Sequence, residues 1–300
     1  MALHSKQSEA FLAVAETGSF ELAAERLNIT ASAVTLRVQT LEKQLGQVLI
    51  LRERPCRVTQ IGKELLQHLQ HTHFMEQNLL QNFQGRATTS LFYKLKIATN
   101  ADSLATWLLP TLQKSVLQQH ILLELKIDDQ TQTHHLLEAG LVNACISTEK
   151  NAMKACVAQT LGKMTYRMVA SQAFYQQYFK EGISREILKH VPAVIFNEKD
   201  QLHHTILTQH FGLTEGMFPY HSVPSSTAFM DSILLGFGYG MLPEFQIENR
   251  IKNGELVEIM PFAETAIALY WHHWKQQSPQ LEDLTQHLIK HTQHALNTSP

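Results

Sequence analysis

Cysteine is scarce: Cys56, Cys145 and Cys156 are the three in 300 residues. An odd number without CxxC spacing leaves a thiol over in any pairing scheme, which excludes a disulfide-built scaffold and fits a reducing compartment. No cationic residue is adjacent to Cys145 or Cys156, so inert buried thiols are expected there rather than a redox pair. Long apolar runs are lacking too, and none approaches the roughly 18 residues of a membrane span. Residues 1–16 mix Lys6, Glu9 and Glu16 with apolar positions at helical spacing and hold no leader-type apolar core, so the protein is expected in the cytoplasm, without a membrane partner. There is no GxSxG, no P-loop and no GxGxxG. The glycine-rich run Gly236 to Gly240 follows a helical pattern and precedes a strand, the reverse of the phosphate-binding order. Seventeen histidines include the close pairs His71/His73, His134/His135, His203/His204 and His272/His273. None has the HExxH spacing or belongs to a Cys/His quartet, so no metal, no cofactor and no catalytic constellation is expected.

Charge of either sign is sparse as well, at 17% of residues with a net charge of −2. That total argues against a nucleic-acid partner, but its distribution argues for one. Between Arg26 and Lys63 there are seven basic residues, Arg26, Arg37, Lys43, Arg52, Arg54, Arg57 and Lys63, against Glu42 and Glu53. Phosphate affinity follows such a local patch rather than the chain total.

The same stretch carries a regular pattern. Leu3, Gln7, Ala10, Phe11 and Val14 share one face of a first helix, which Gly18 ends, with Ser19 placed to cap the next. Phe20, Ala23, Ala24 and Leu27 make a short second helix whose two alanines admit a close neighbour. Asn28 and Ile29 turn the chain, and Thr30 caps a third helix with Val34, Val38, Leu41 and Leu45 inward. Ser32, Leu36, Gln39 and Lys43 then face outward, flanked by Thr35 and Arg37. Gly46 stops this helix, and residues 48–58 read as two short extended pieces carrying Arg52, Arg54 and Arg57. An outward face of this kind alone reads as an ordinary solvated helix. Joined to the short turn, the Thr30 cap and the basic wing, it reads as a winged helix-turn-helix that lays a recognition helix in the major groove of double-stranded DNA.

Gly18-Ser19-Phe20, Ala23-Ala24, Leu27, Ile29-Thr30, Ser32-Ala33-Val34-Thr35, Leu41-Glu42, Leu45-Gly46 and Arg52 resemble the N-terminal signature of LysR-type transcriptional regulators. The DNA-contacting positions then implied are Thr30, Ala31, Ser32, Thr35, Leu36, Arg37, Gln39, Lys43, Arg52, Arg54 and Arg57. The usual pattern has Gln at Ala31 and a polar or basic residue at Leu36, both at base-reading positions, so an operator sequence does not carry over. An outward Leu36 suits either a thymine methyl or plain solvent. The fold class expected is α/β: an all-α winged helix-turn-helix at residues 1–58, a linker helix and hinge at 59–90, and a two-lobed α/β effector domain of the periplasmic-binding-protein type at 91–300. Lobe one takes residues 91–162 and 266–300, lobe two 163–265. Leu66, Leu69, His73, Glu76, Leu80 and Phe83 mark a dimerisation seam on the linker helix, giving a homodimer and allowing a dimer of dimers. RNA polymerase is an implied partner.

Beyond Tyr93 strands alternate with helices. In such units ligands sit at the carboxyl ends of strands, near helix N-termini. The candidate effector positions are accordingly Asn100, Asp102 and Ser103, then Asp128 and Asp129, then Ser147 and Thr148, with Asn197, Asp200, Ser225, Ser226 and Thr227 across the cleft. Ser225, Ser226 and Asp102 equally suit helix capping. Asp102, Asp128 and Asp129 concentrate negative charge, which favours a cationic ligand. The run Asn100 to Pro110 and the segment Leu269-Tyr270-Trp271-His272 resemble one LysR subgroup, the regulators of basic amino-acid export of the arginine-exporter or chromosome-initiation-inhibitor type. That resemblance implies lysine or arginine as effector and activation of an exporter gene. The alternatives are a LysR-type regulator of an unrelated small effector, and an effector-independent architectural or replication-control protein on A·T-rich DNA. An enzyme built on the binding-protein fold comes last, for want of a nucleophile-base or metal arrangement.

Overall fold

The computed structural model describes residues 6–66, 68–70, 72, 76, 92–198, 200–263 and 265–296. They divide into two compact units, one of residues 1–90 with 135–143 and one of 91–134 with 144–300.

In the first unit lie α1 (Lys6–Thr17), α2 (Phe20–Leu27) and α3 (Ala31–Leu45), the last two bounded by their caps. Gly18 turns the chain at φ +66°, and the Ser19 hydroxyl accepts from the Glu21 and Leu22 amides. Asn28 takes the left-handed conformation at φ 53°, Thr30 accepts from the Ala33 amide, and Gly46 ends α3 at φ +65°. Ala10, Phe11, Val14, Ala23, Ala24, Val34, Val38 and Leu41 close a common core. Strands β1 (Ile50–Leu51) and β2 (Arg57–Val58) pair antiparallel as the wing. Thr59 then starts a helix, its hydroxyl accepting from the Gly62 amide at 3.0 Å while donating to the Val48 carbonyl at 2.8 Å.

Two expected seam residues are used differently. Leu69 is buried in this unit's own core and Leu66 packs against it, because the first turns of the linker helix cover the reader's apolar floor. His73, Leu80 and Phe83 and the hinge at 85–90 lie outside the described residues. The segment 135–143 groups with this unit rather than with lobe one. Gly140 lies so close to Gln70 that a Cβ there would come within 2.6 Å of the glutamine Cβ.

The second unit is built on one mixed sheet of β3 (Tyr93–Thr99), β4 (Ile121–Ile127), β5 (Ala144–Ser147), β6 (Cys156–Ser171), β7 (Ala193–Ile195), β8 (Tyr220–Ser222), β9 (Tyr239–Pro243), β10 (Leu256–Glu258) and β11 (Thr265–Trp274). The order is β4-β3-β5-β11-β6-β9-β7-β8, with β10 also on β6. β3, β4 and β5 run parallel at one end, β7, β8 and β9 at the other. β6 and β11 are the longest strands and pair with each other from Trp274↔Cys156 to Thr265↔Tyr166, after which β6 alone continues against β9 and β10. The register slips between Leu269 and Tyr270, beside Gly162.

The helices that follow the strands form close to where periodicity puts them, at Gln172–Tyr178, Gln201–Phe211, Ser226–Leu234 and Pro279–Leu296. After β3 the helical run divides into Ala101–Ser103, a π-turn at Leu104–Leu108, and Leu109–Gln118. Helix Glu244–Lys252 gives little sign of itself in the sequence. It starts after Pro243 without a side-chain cap and buries only Ile247, so it lacks both an N-terminal signal and an apolar stripe.

Lobe two holds a buried histidine. His203 is fully buried, its ring 5.5 Å from that of Tyr239 and 6.0 Å from that of Phe218. Neither ring nitrogen has a hydrogen-bond partner. Burial, helped by His204 and opposed by Asp200, pushes its pKa from an ordinary 6.5 down to about 4. The unfolded chain therefore takes up a proton that the folded chain refuses. Stability is intact above pH 6.5 and falls as the pH drops toward 4, by roughly 2–3 kcal/mol from this residue. Urea unfolding across this range should show that slope in the wild type and a flatter one in His203→Leu; equal slopes would remove His203 as its source.

Candidate functional site

Two sets of side chains are candidates for the functional chemistry, one in each unit. In the first, α3 presents Ser32, Leu36, Gln39 and Lys43 to solvent, with Ala31, Thr35 and Arg37 half-buried on its flanks and Thr30 at its cap. The wing is held to this helix by Glu42, whose Oε1 accepts from the Leu49 amide at 2.8 Å and the Ile50 amide at 3.2 Å. The Cys56 amide donates to the Gly18 carbonyl at 2.8 Å and ties the wing's far side to the α1–α2 turn. Arg52, Arg54 and Arg57 are all exposed. Arg52 lies over the Phe20 ring at 5.6 Å, and Arg57 is 3.5 Å from Glu53. A polar helix face with a cationic wing can track a phosphate backbone and reach base edges.

In the second unit the strand ends gather three groups. At the ends of β3, β4 and β5, the Asn100 side-chain amide donates to Gln130 Oε1 at 3.1 Å, while the Ser147 hydroxyl and the Thr148 amide donate to the Gln130 carbonyl. Asn100 Oδ1 is buried with no hydrogen-bond partner, a vacant acceptor among otherwise bonded groups. Asp129 folds over its own turn, accepting from the Thr131 amide and hydroxyl.

The second group centres on Asp102. It is partly buried; its Oδ2 accepts from the Tyr166 hydroxyl at 2.8 Å and its Oδ1 from the Ser226 hydroxyl at 2.7 Å. Gln246 Nε2 donates in turn to the Ser226 oxygen at 2.9 Å. One carboxylate thus joins the first turn after β3 to β6 and to the start of helix Ser226–Leu234. Burial pushes its pKa above the ordinary carboxylate value, Ser226 and Tyr166 pull it back, and Asp200 pushes it up again. Tyr166 is buried, and its phenol is shifted well upward, first by burial and then by the charges of Asp102, Asp200 and Asp129. In the third group Asp200 closes the turn after β7, accepting from the Phe196 and His203 amides, and its own amide donates to the Asn197 carbonyl.

Other expected positions lie apart. Ser103 is fully buried and Asp128 is exposed. Ser225 and Thr227 are exposed; Ser225 makes no side-chain cap bond, and Thr227 lines a cavity of about 370 Å³ with Ala105, Met230, Gln246 and Arg250. Tyr166, Gln130 and Gln246 were not anticipated. Gln130 follows the singled-out Asp128 and Asp129 and was within reach of the strand-end rule. Tyr166 sits mid-strand and gives no such sign.

A winged helix-turn-helix followed by a two-lobed α/β unit with carboxylates at its strand ends is the plan of a DNA-binding regulator with an effector domain. Comparison with known proteins gives the class its family. Residues 5–63 match the bacterial regulatory helix-turn-helix proteins of the lysR family, and residues 92–293 match the LysR substrate binding domain. The chain belongs to the LysR family; it is a ligand-responsive transcription regulator and not an enzyme. It is 37% identical over 294 residues to the HTH-type transcriptional regulator ArgP of Vibrio parahaemolyticus, with 98% of each chain covered. The crystal structure of ArgP from Mycobacterium tuberculosis matches with a TM-score of 0.80 at 33% identity, over 97% of this chain and 98% of that one. Full-length LysG of Corynebacterium glutamicum with bound effector Arg matches with a TM-score of 0.75 at 29% identity, over 96% and 97%.

The Asp102 bridge has a measurable weight. Asp102→Ala leaves the Tyr166 and Ser226 hydroxyls without their acceptor and should cost about 2–4 kcal/mol, whereas Asp102→Asn keeps an acceptor oxygen and should cost less. The urea midpoint of each variant reads the difference, and an alanine variant as stable as wild type would mean the bridge contributes nothing.

Proposed function

We propose that this regulator senses a basic amino acid, lysine or arginine, and in response activates transcription of a gene for an exporter of that class. It acts in the cytoplasm as a homodimer through its linker helix, pairing further into a tetramer, and recruits RNA polymerase from its site on double-stranded DNA. We place the division of labour at residues 1–58 for DNA, 59–90 for dimerisation and 91–300 for the effector.

The observation that carries the ligand class is the sign of the field at the strand ends. Asp102, Asp129 and Asp200 all act on one buried hydroxyl, that of Tyr166. A cation is drawn to such a place and an anion repelled. Each carboxylate keeps acceptor capacity beyond the bonds it already makes. Ser225, free of capping duty at the start of helix Ser226–Leu234, and the vacant Asn100 oxygen suit the α-carboxylate and α-ammonium of an amino acid. Asp102 serves in this reading as the tie between lobes, with Asp129 and Asp200 nearer the ligand's charge. LysG carries arginine as its bound effector, which supports the same ligand class here.

Calorimetric titration of the full-length protein with each of the twenty amino acids tests the proposal. Lysine or arginine should bind, and Asp129→Asn, which keeps the oxygen facing Thr131 but loses the charge, should weaken binding about tenfold or more. No heat from either basic amino acid would end this reading and favour effector-independent DNA binding.

The DNA side is tested separately. Arg54→Ala should weaken binding to specific and nonspecific duplexes alike and lower the salt slope, measured by fluorescence anisotropy, by about one. An unchanged slope would take Arg54 off the phosphate backbone.

A further inference from the structure

Large apolar side chains are exposed at several places on the DNA-reading unit, and Leu36, at 65%, is the most exposed of them among the described residues. It stands on the outer face of α3, in the second turn after the Thr30 cap, between Ser32 and Gln39. Three hydroxyls near it, those of Thr30, Ser32 and Thr40, are engaged locally. That of Ser32 is 3.0 Å from that of Thr30, which itself accepts from the Ala33 amide, and that of Thr40 donates to the Leu36 carbonyl at 2.7 Å. At its most exposed apolar position this part of the helix therefore presents a branched hydrocarbon with no donor or acceptor.

The edges of base pairs in the major groove offer donors, acceptors and a single aliphatic group, the C5 methyl of thymine. A leucine pressed against guanine, adenine or cytosine strips water from polar groups and gives nothing back, whereas against thymine it buries hydrocarbon on hydrocarbon. We infer that Leu36 is a specificity-determining residue that reads the C5 methyl of a thymine in the operator. The inference rests on α3 being the groove-reading helix, and it adds a base and an atom to that reading. Gln39 and Lys43, exposed on the same face, retain the hydrogen-bonding and phosphate roles.

Deoxyuridine differs from thymidine only by the missing methyl, which makes the test atomic. A duplex is first selected from a random-sequence pool with the full-length protein. Each thymine of the selected duplex is then replaced in turn by deoxyuridine, and affinities are measured for wild type and for Leu36→Gln. Circular dichroism checks the fold of the variant, whose changed side chain is on the surface. Wild type should lose about fourfold in affinity at one thymine per recognition helix. Leu36→Gln should bind the thymine and deoxyuridine duplexes equally at that position. The inference fails if no thymine is methyl-sensitive for wild type, or if Leu36→Gln keeps the wild-type sensitivity. Selection of no duplex at all would overturn α3 as the DNA reader, and the inference with it.

Discussion

The second unit depends on one antiparallel pairing, that of β11 with β6. β6 spends its first two-thirds against β11 and its last third against β9 and β10, so the parallel strands at either end of the sheet hang on the same strand. Tyr166 is the residue where the partners change, opposite Thr265 on one side and Pro243 on the other. A hydroxyl at that crossing is within reach of both lobes. The register slip beside Gly162 interrupts the pairing a few residues earlier, where an unpaired residue increases local twist. The ladder thus locates both the polar tie between the lobes and the place where the ladder is least regular.

Why the tie is a carboxylate follows from what it must accept. Two hydroxyls, from a strand and from the start of a helix, converge on it, and each needs an acceptor once buried. An amide oxygen can accept from both but brings an NH2 that needs acceptors of its own, whereas a carboxylate brings none. The penalty is electrostatic. Burial and the nearby Asp200 make the ionised form of Asp102 harder to hold, and Tyr166 feels Asp129 as well. In the function proposed above, a cation entering at the strand ends would offset that repulsion for several carboxylates together, so the same arrangement that opposes their ionisation favours a basic ligand.

The reader was legible in the sequence because its signals are local. Ser19, Thr30 and Gly46 act on amides and turns within a few residues of themselves, and the stripe Val34, Val38, Leu41 repeats at helical spacing. The alternation of strands and helices beyond Tyr93 was legible for the same reason. The partners of Asp102 were not. Tyr166 lies 64 residues away and Ser226 lies 124 away, and no periodicity links them. Ser226 illustrates the ambiguity well. Ahead of a helix it reads as a cap, yet its hydroxyl turns to Asp102, and Ser225 occupies the cap position without a side-chain bond. Leu66 and Leu69 show the converse error, in which a heptad-like stripe looked free for a partner chain but its first residues complete the reader's own core.

The closure of the reader also constrains how an effector can act. Its second and third helices are capped from within, its wing is fixed by Glu42 at one side and by Gly18 at the other, and Thr59 ties the exit to Val48, just ahead of the wing's first strand. Among its described residues the wing and the caps of the second and third helices are closed by the unit's own groups. A ligand shifts an equilibrium only by the difference in its affinity for two states. The states that differ must therefore lie outside the reader's internal fold. In the function proposed above, the strand ends supply such a difference, because the carboxylate that joins Tyr166 to Ser226 and the neighbouring charges of Asp129 and Asp200 would be stabilised differently with and without a cation. By linkage, a ligand that raises the regulator's affinity for DNA has its own affinity raised by DNA to the same degree.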